Sequence, residues 1–184
     1  SSQANKGLLR LEKVINNDRI QKNLTQEQIN SVVSLYKNGQ FQEAVDSIKT
    51  LNKSHPNVPL LFNLLGACYK SLGQIDHALK MFETATKIKP DYAEAFFNQG
   101  VILKGVERLK DAVAIYKKAI SLNPNYPDAH NNLGNTYKDL GMYDEAIKSY
   151  ECALAYKPDF EVVHLNLGLI YSKFDQESAI KYFK

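Results

Sequence analysis

Three asparagines, Asn98, Asn132 and Asn166, stand 34 residues apart, and Asn30 holds the equivalent place further back, with Leu64 interrupting the row. A carboxamide puts a donor and an acceptor on one short side chain, the same two groups that a polypeptide backbone presents at each residue. A regular row of amides is therefore chemistry for holding an extended chain with little regard to its sequence. Lys70, Lys104 and Lys138 keep the same interval. They would add point charges that attract acidic residues or a terminal carboxylate. Asn131 and Asn135, on either side of Asn132, complete the candidate binding set.

Nothing comparable points to catalysis. The four histidines are His55, His77, His130 and His164, and none forms a helical His pair with a glutamate between. There is no Cys-x-x-Cys and no glycine-rich phosphate loop. We expect no enzymatic activity, no cofactor and no metal. Cys68 and Cys152 read as two small buried thiols rather than a disulfide, which points to a reducing, cytoplasmic setting. A leader removed before Ser1 would leave no trace, so a secretory compartment stays open, and Asn23-Leu24-Thr25 and Asn52-Lys53-Ser54 fit the glycosylation pattern only there.

Such rows can form only if the chain that carries them repeats. Pro56, Pro90, Pro124 and Pro158 are spaced by 34, as are Gly66, Gly100, Gly134 and Gly168, and Ala44, Ala78, Ala112 and Ala146. A fixed period of this length marks stacked units, none of which can bury its apolar face alone. Within the unit Pro127–Phe160, Leu133, Tyr137, Ala146, Tyr150, Ala153 and Leu154 recur at helical steps. Two helices follow, joined at Asp139-Leu140-Gly141, where glycine suits a left-handed helix end. Gly134 and Ala146 fit where the helices cross closely, and Tyr137 and Tyr150 fill the wider gaps. Pro158 cannot continue the second helix and resets the chain.

Leu133-Gly134, Tyr137, Gly141, Ala146, Tyr150, Ala153 and Pro158, with His130 at the first aromatic position, resemble the tetratricopeptide repeat. The resemblance covers residues 25–184 and implies an all-α fold: antiparallel helix pairs, about five of them, winding into a right-handed superhelical solenoid with a concave binding face. The Asn98, Asn132 and Asn166 row resembles the asparagine ladder in the repeats of O-linked N-acetylglucosamine transferases. The carboxylate clamp of chaperone-binding members is not matched, because Ile29, Asn63, Phe97 and Asn131 stand at its lysine sites.

In chain order, residues 1–24 precede the repeats. Leu8, Leu11 and Ile15 share a helical face there, with five basic residues against Glu12 and Asp18, so we expect an amphipathic capping helix. The repeats divide as 25–58, 59–92, 93–126, 127–160 and an incomplete 161–184. Thr25-Gln26-Glu27-Gln28 reads as a capping box, with Leu24 and Ile29 as a hydrophobic staple. In the first repeat Val32 replaces the close-packing glycine. In the third, Glu107 replaces the turn glycine and implies a reshaped turn. The fifth runs one residue short between Tyr171 and Ala179.

With the stacking residues set aside, Asp128, Asn131, Asn132, Asn135 and Lys138 are expected to face the groove. Phosphate-driven nucleic-acid binding would need a denser basic stripe than this chain has: the whole chain is +3, leaning to its N-terminal half, while its fourth repeat has six acidic against three basic residues. No run of eighteen apolar residues could span a membrane. These readings converge on a scaffold that binds an extended peptide or protein segment, acidic ones included. The alternative is the substrate-recruiting N-terminal part of a larger glycosyltransferase or sulfotransferase continuing past Lys184. Self-association through the N-terminal helix or the incomplete last repeat is a third option.

Overall fold

One turn geometry builds each of the four described helix hairpins. At the fourth hairpin the amide of Gly141 donates to Lys138 O at 3.0 Å and that of Met142 to Tyr137 O at 2.9 Å, satisfying two carbonyls that the helix end would leave open. The pattern needs one residue with positive φ, and Gly39, Gly73 and Gly141 supply it at 76°, 73° and 75°. Glycine meets no steric penalty there. The third hairpin forms the same bonds, Glu107 N to Lys104 O at 3.0 Å and Arg108 N to Leu103 O at 2.9 Å, with Glu107 itself at φ 60°. The expected reshaping of this turn does not occur. The helices on either side dictate the bond pattern, and a glutamate is forced into the left-handed region. Glu107→Gly is therefore expected to stabilise the chain by about 1 kcal/mol. That corresponds to a rise of roughly 2–4 °C in Tm by thermal unfolding.

The computed structural model describes residues 24–174. The amphipathic helix expected over 1–24 lies, but for Leu24, outside the described residues, as does the second half of the fifth repeat with its short turn. Among the described residues there are nine helices and no strand. They fall in two compact units, Ser1–Pro90 and Asp91–Lys184.

The first unit holds α1 (Gln26–Lys37), α2 (Phe41–Ser54), α3 (Pro59–Ser71) and α4 (Ile75–Ile88), each packed on the next. Helix α1 starts at the expected capping box. Gln28 N donates to Thr25 Oγ1 at 3.2 Å and Thr25 N donates to Gln28 Oε1 at 2.8 Å, while Leu24 and Ile29 are both buried. Pro59 opens α3 at a position whose amide would have no helical partner. In this unit Gly66 faces Phe82, and a Cβ on the glycine would lie 2.5 Å from the ring. The first hairpin solves the same crossing differently. Val32 takes the glycine's place and Ile48 the ring's, both fully buried, so a larger first-helix residue is matched by a smaller one opposite.

The second unit holds α5 (Ala93–Gly105), α6 (Leu109–Leu122), α7 (Pro127–Asp139), α8 (Tyr143–Tyr156) and α9 (Glu161–Phe174). Each packs on the next, and the first helices α5 and α7 also touch. Gly100 meets Tyr116 and Gly134 meets Tyr150, and a methyl group added at these glycines would stand only 2.7 and 2.6 Å from the respective rings. Ala112, Ala119, Ala146 and Ala153 have no exposed surface, so second helices approach first helices at the small-residue spacing seen in the sequence. Between hairpins, Asn123 at φ −137°, ψ 89° and Lys157 at φ −141°, ψ 83° have left the helical region, which a following proline disfavours.

One of the two cysteines differs from expectation. Cys68 is buried, but Cys152 is exposed, because it lies on the outer face of α8. Burial pushes the Cys68 thiol up from 9.0 to about 12. A thiol held protonated reacts slowly, since the thiolate is the nucleophile. Titration with a disulfide reagent at pH 8 should show one thiol per chain reacting at once and a second only on unfolding. Cys152→Ser should abolish the fast phase, and equal rates for both thiols would contradict the assigned burial.

Candidate functional site

The candidate residues sit on the first helices, and the structure divides them sharply. In the first unit Lys70 lies exposed near the end of α3. In the second unit Asn98 on α5 and Asn132 on α7 are half-buried. Asn166, the next in the row, is buried at 8% exposure. Asn131, which the spacing assigns to the groove, is also buried, and its Oδ1 meets no donor among the described residues. The expectation that the asparagine row is uniformly open to a ligand is thus corrected. Its last member belongs to the contact between successive first helices.

That contact is a small polar network. The Tyr150 hydroxyl donates to Asn135 Oδ1 at 2.7 Å, and Asn166 Nδ2 donates to the same oxygen at 3.2 Å. Lys138 Nζ donates to Asn166 Oδ1 at 3.1 Å. A lysine can only donate, so the side of Asn166 that it meets is the oxygen. Burial, with the nearby Asp139 charge as the lesser cause, pushes the Tyr150 hydroxyl well above the usual tyrosine range, which keeps it a donor. Lys104 is engaged too, with its Nζ 2.7 Å from Asp139 Oδ2. Of the residues singled out for binding, Asn135, Asn166, Lys104 and Lys138 therefore tie helix to helix, and Asn132 does not. Its half-buried carboxamide has no hydrogen-bond partner among the described residues.

The histidines join the scaffold rather than a site. His130 Nε2 lies 3.0 Å from Pro124 O and His164 Nε2 lies 2.7 Å from Pro158 O, each reaching back six residues. A carbonyl only accepts, so Nε2 carries the proton in both rings. His130 also stacks on Tyr156 at 5.9 Å, as expected of a flat ring at the aromatic position. The sequence held the signal for the hydrogen bond, since both histidines follow a 34-spaced proline by the same interval. Among the described residues no three His, Cys, Asp or Glu side chains group to hold a metal ion. No helix there is long and apolar enough to cross a membrane.

Models of the tetratricopeptide repeat match residues 127–160 and 61–92, and a related TPR repeat model matches residues 107–141. The chain is a tetratricopeptide-repeat protein. A crystal structure of MamA is similar at 29% identity and a TM-score of 0.76, over 83% of this chain and 90% of that one. A second MamA crystal structure is similar at 28% identity and a TM-score of 0.75, over 85% and 86%. MamA from Desulfovibrio magneticus RS-1, at 21% identity and a TM-score of 0.76 over 86% and 90%, shares the fold. No curated protein sequence matches significantly. The tetratricopeptide array is an all-α helical-repeat solenoid and, by that fold, a protein–protein interaction scaffold.

Proposed function

We propose that this chain binds an extended polypeptide segment of another protein along its first-helix face and performs no chemistry on it. The observation that carries the reading is the open carboxamide of Asn132. It is half-buried, so its orientation is held by neighbours, yet its donor and acceptor are not used by the described residues. A backbone amide and carbonyl of a bound chain would satisfy both. Asn98 is the corresponding residue one repeat earlier, on α5 of the same unit, and is also half-buried. Lys138 adds a positive charge nearby. Its only polar partner among the described residues is the neutral Asn166 amide, so a carboxylate on the ligand would be favoured.

The reading is tested by affinity capture with the wild-type chain and with Asn98→Ala/Asn132→Ala, followed by direct titration of a captured partner. Two lost amide contacts should weaken binding by about tenfold or more, at roughly 0.5–1.5 kcal/mol each. Helix content should stay unchanged. Equal affinity of both chains for every captured partner would sink the proposal. Asn166 is left intact because its removal would disturb folding and binding together.

A further inference from the structure

Helix α9 carries apolar residues on two sides. Val163, Leu167 and Ile170 are buried in the second unit. Val162, Leu165 and Leu169 are 41%, 50% and 52% exposed. Their spacing places them on one helix face. On α7 the positions 34 residues earlier are Asp128, Asn131 and Asn135. Asn131 is buried and the other two half-buried, and Asn135 is bonded to α9 through Asn166. This face of a first helix is one that a further helix covers. On α9 the described residues leave it open.

The residues on that face are arranged to match a copy of themselves. In an antiparallel pair of α9 helices with the two-fold axis level with Leu167, residues equally distant from Leu167 meet. Leu165 then faces Leu169 of the second copy, and the reverse. Val162 faces Ser172. At both ends Glu161 faces Lys173 of the other copy, and both residues are exposed. Lys173 Nζ lies 3.1 Å from Tyr143 Oη, and an ammonium has more than one proton to donate, so the same group can also meet a carboxylate. A parallel pair would instead set Glu161 on Glu161 and Lys173 on Lys173. Antiparallel helices also oppose their dipoles. Self-complementarity of this kind is what a closed two-fold interface requires.

We propose that α9 docks antiparallel on α9 of a second copy of this chain, with Leu165 and Leu169 at the centre and Glu161–Lys173 pairs at the ends. One helix face is smaller than the roughly 1,200 Å² of a standard stable interface, so the dimer is reversible and concentration-dependent. It is independent of the ligand-binding reading, which rests on the carboxamide of Asn132.

Sedimentation equilibrium of the 184-residue chain tests this directly. The wild type should pass from monomer to dimer with concentration and go no further. Leu165→Ser/Leu169→Ser should remain monomeric with unchanged circular dichroism, since both side chains are exposed. Glu161→Lys or Lys173→Glu alone should raise Kd by about tenfold or more, and the two together should restore it. A wild type monomeric at all concentrations would overturn the proposal and leave the face to a different helix. So would a dimer indifferent to Leu165 and Leu169, a double charge reversal that fails to rescue, or an open series of larger species.

Discussion

Gly134→Leu is expected to destabilise the second unit by about 3 kcal/mol or more, at or beyond the upper end of the usual overpacking cost. A single Cβ at Gly134 would stand 2.6 Å from Tyr150 Cε1 and 2.7 Å from Cδ1, well inside van der Waals contact. The ring cannot swing away freely, because Tyr150 has no exposed surface and its hydroxyl is tied to Asn135. The remaining leucine carbons have no space either, so α7 and α8 must separate. Urea unfolding should show a lowered midpoint, and Gly134→Ala should fall in between at roughly 1–3 kcal/mol. A leucine variant as stable as wild type would mean that the close crossing is not what specifies glycine.

Tyr150→Ala should cost about 3–5 kcal/mol by opening a cavity in the same crossing. Tyr150→Phe keeps the ring and loses only the bond to Asn135, whose oxygen still accepts from Asn166, so about 1 kcal/mol is expected. The gap between the two variants separates packing from hydrogen bonding. The raised Tyr150 hydroxyl has a further consequence with a definite sign. The folded state favours the protonated phenol, so its contribution is complete below the usual tyrosine range. It is lost as pH climbs past that range toward the raised folded value. Stability should fall less steeply with alkaline pH in Tyr150→Phe than in wild type. The alanine and phenylalanine variants unfolding at the same urea concentration would remove the cavity argument.

Most of the fold could be read in the sequence because its determinants are near neighbours or recur at 34 residues. The capping box at Thr25, the glycine turns, the prolines between hairpins and the pairing of Gly134 with Tyr150 all depend on contacts within one hairpin. Helical periodicity and side-chain size are enough to specify them. The candidate site was less legible. Asn98, Asn132 and Asn166 are identical in sequence phase, yet only the last is buried, and its carboxamide is bonded to the preceding first helix where that of Asn132 is not.

The sequence by itself determined the helices, their turns and the residues that cross within each hairpin, since these follow from local propensity and spacing. Tertiary structure alone decided which side chains lie between one hairpin and the next. It turned Asn135, Asn166, Lys104 and Lys138 to internal contacts, held Glu107 in a glycine conformation, exposed Cys152 and left Leu165 and Leu169 uncovered. The physical reason is that a period places equivalent residues on equivalent faces, whereas the neighbour that each face meets is set by how successive helices pack.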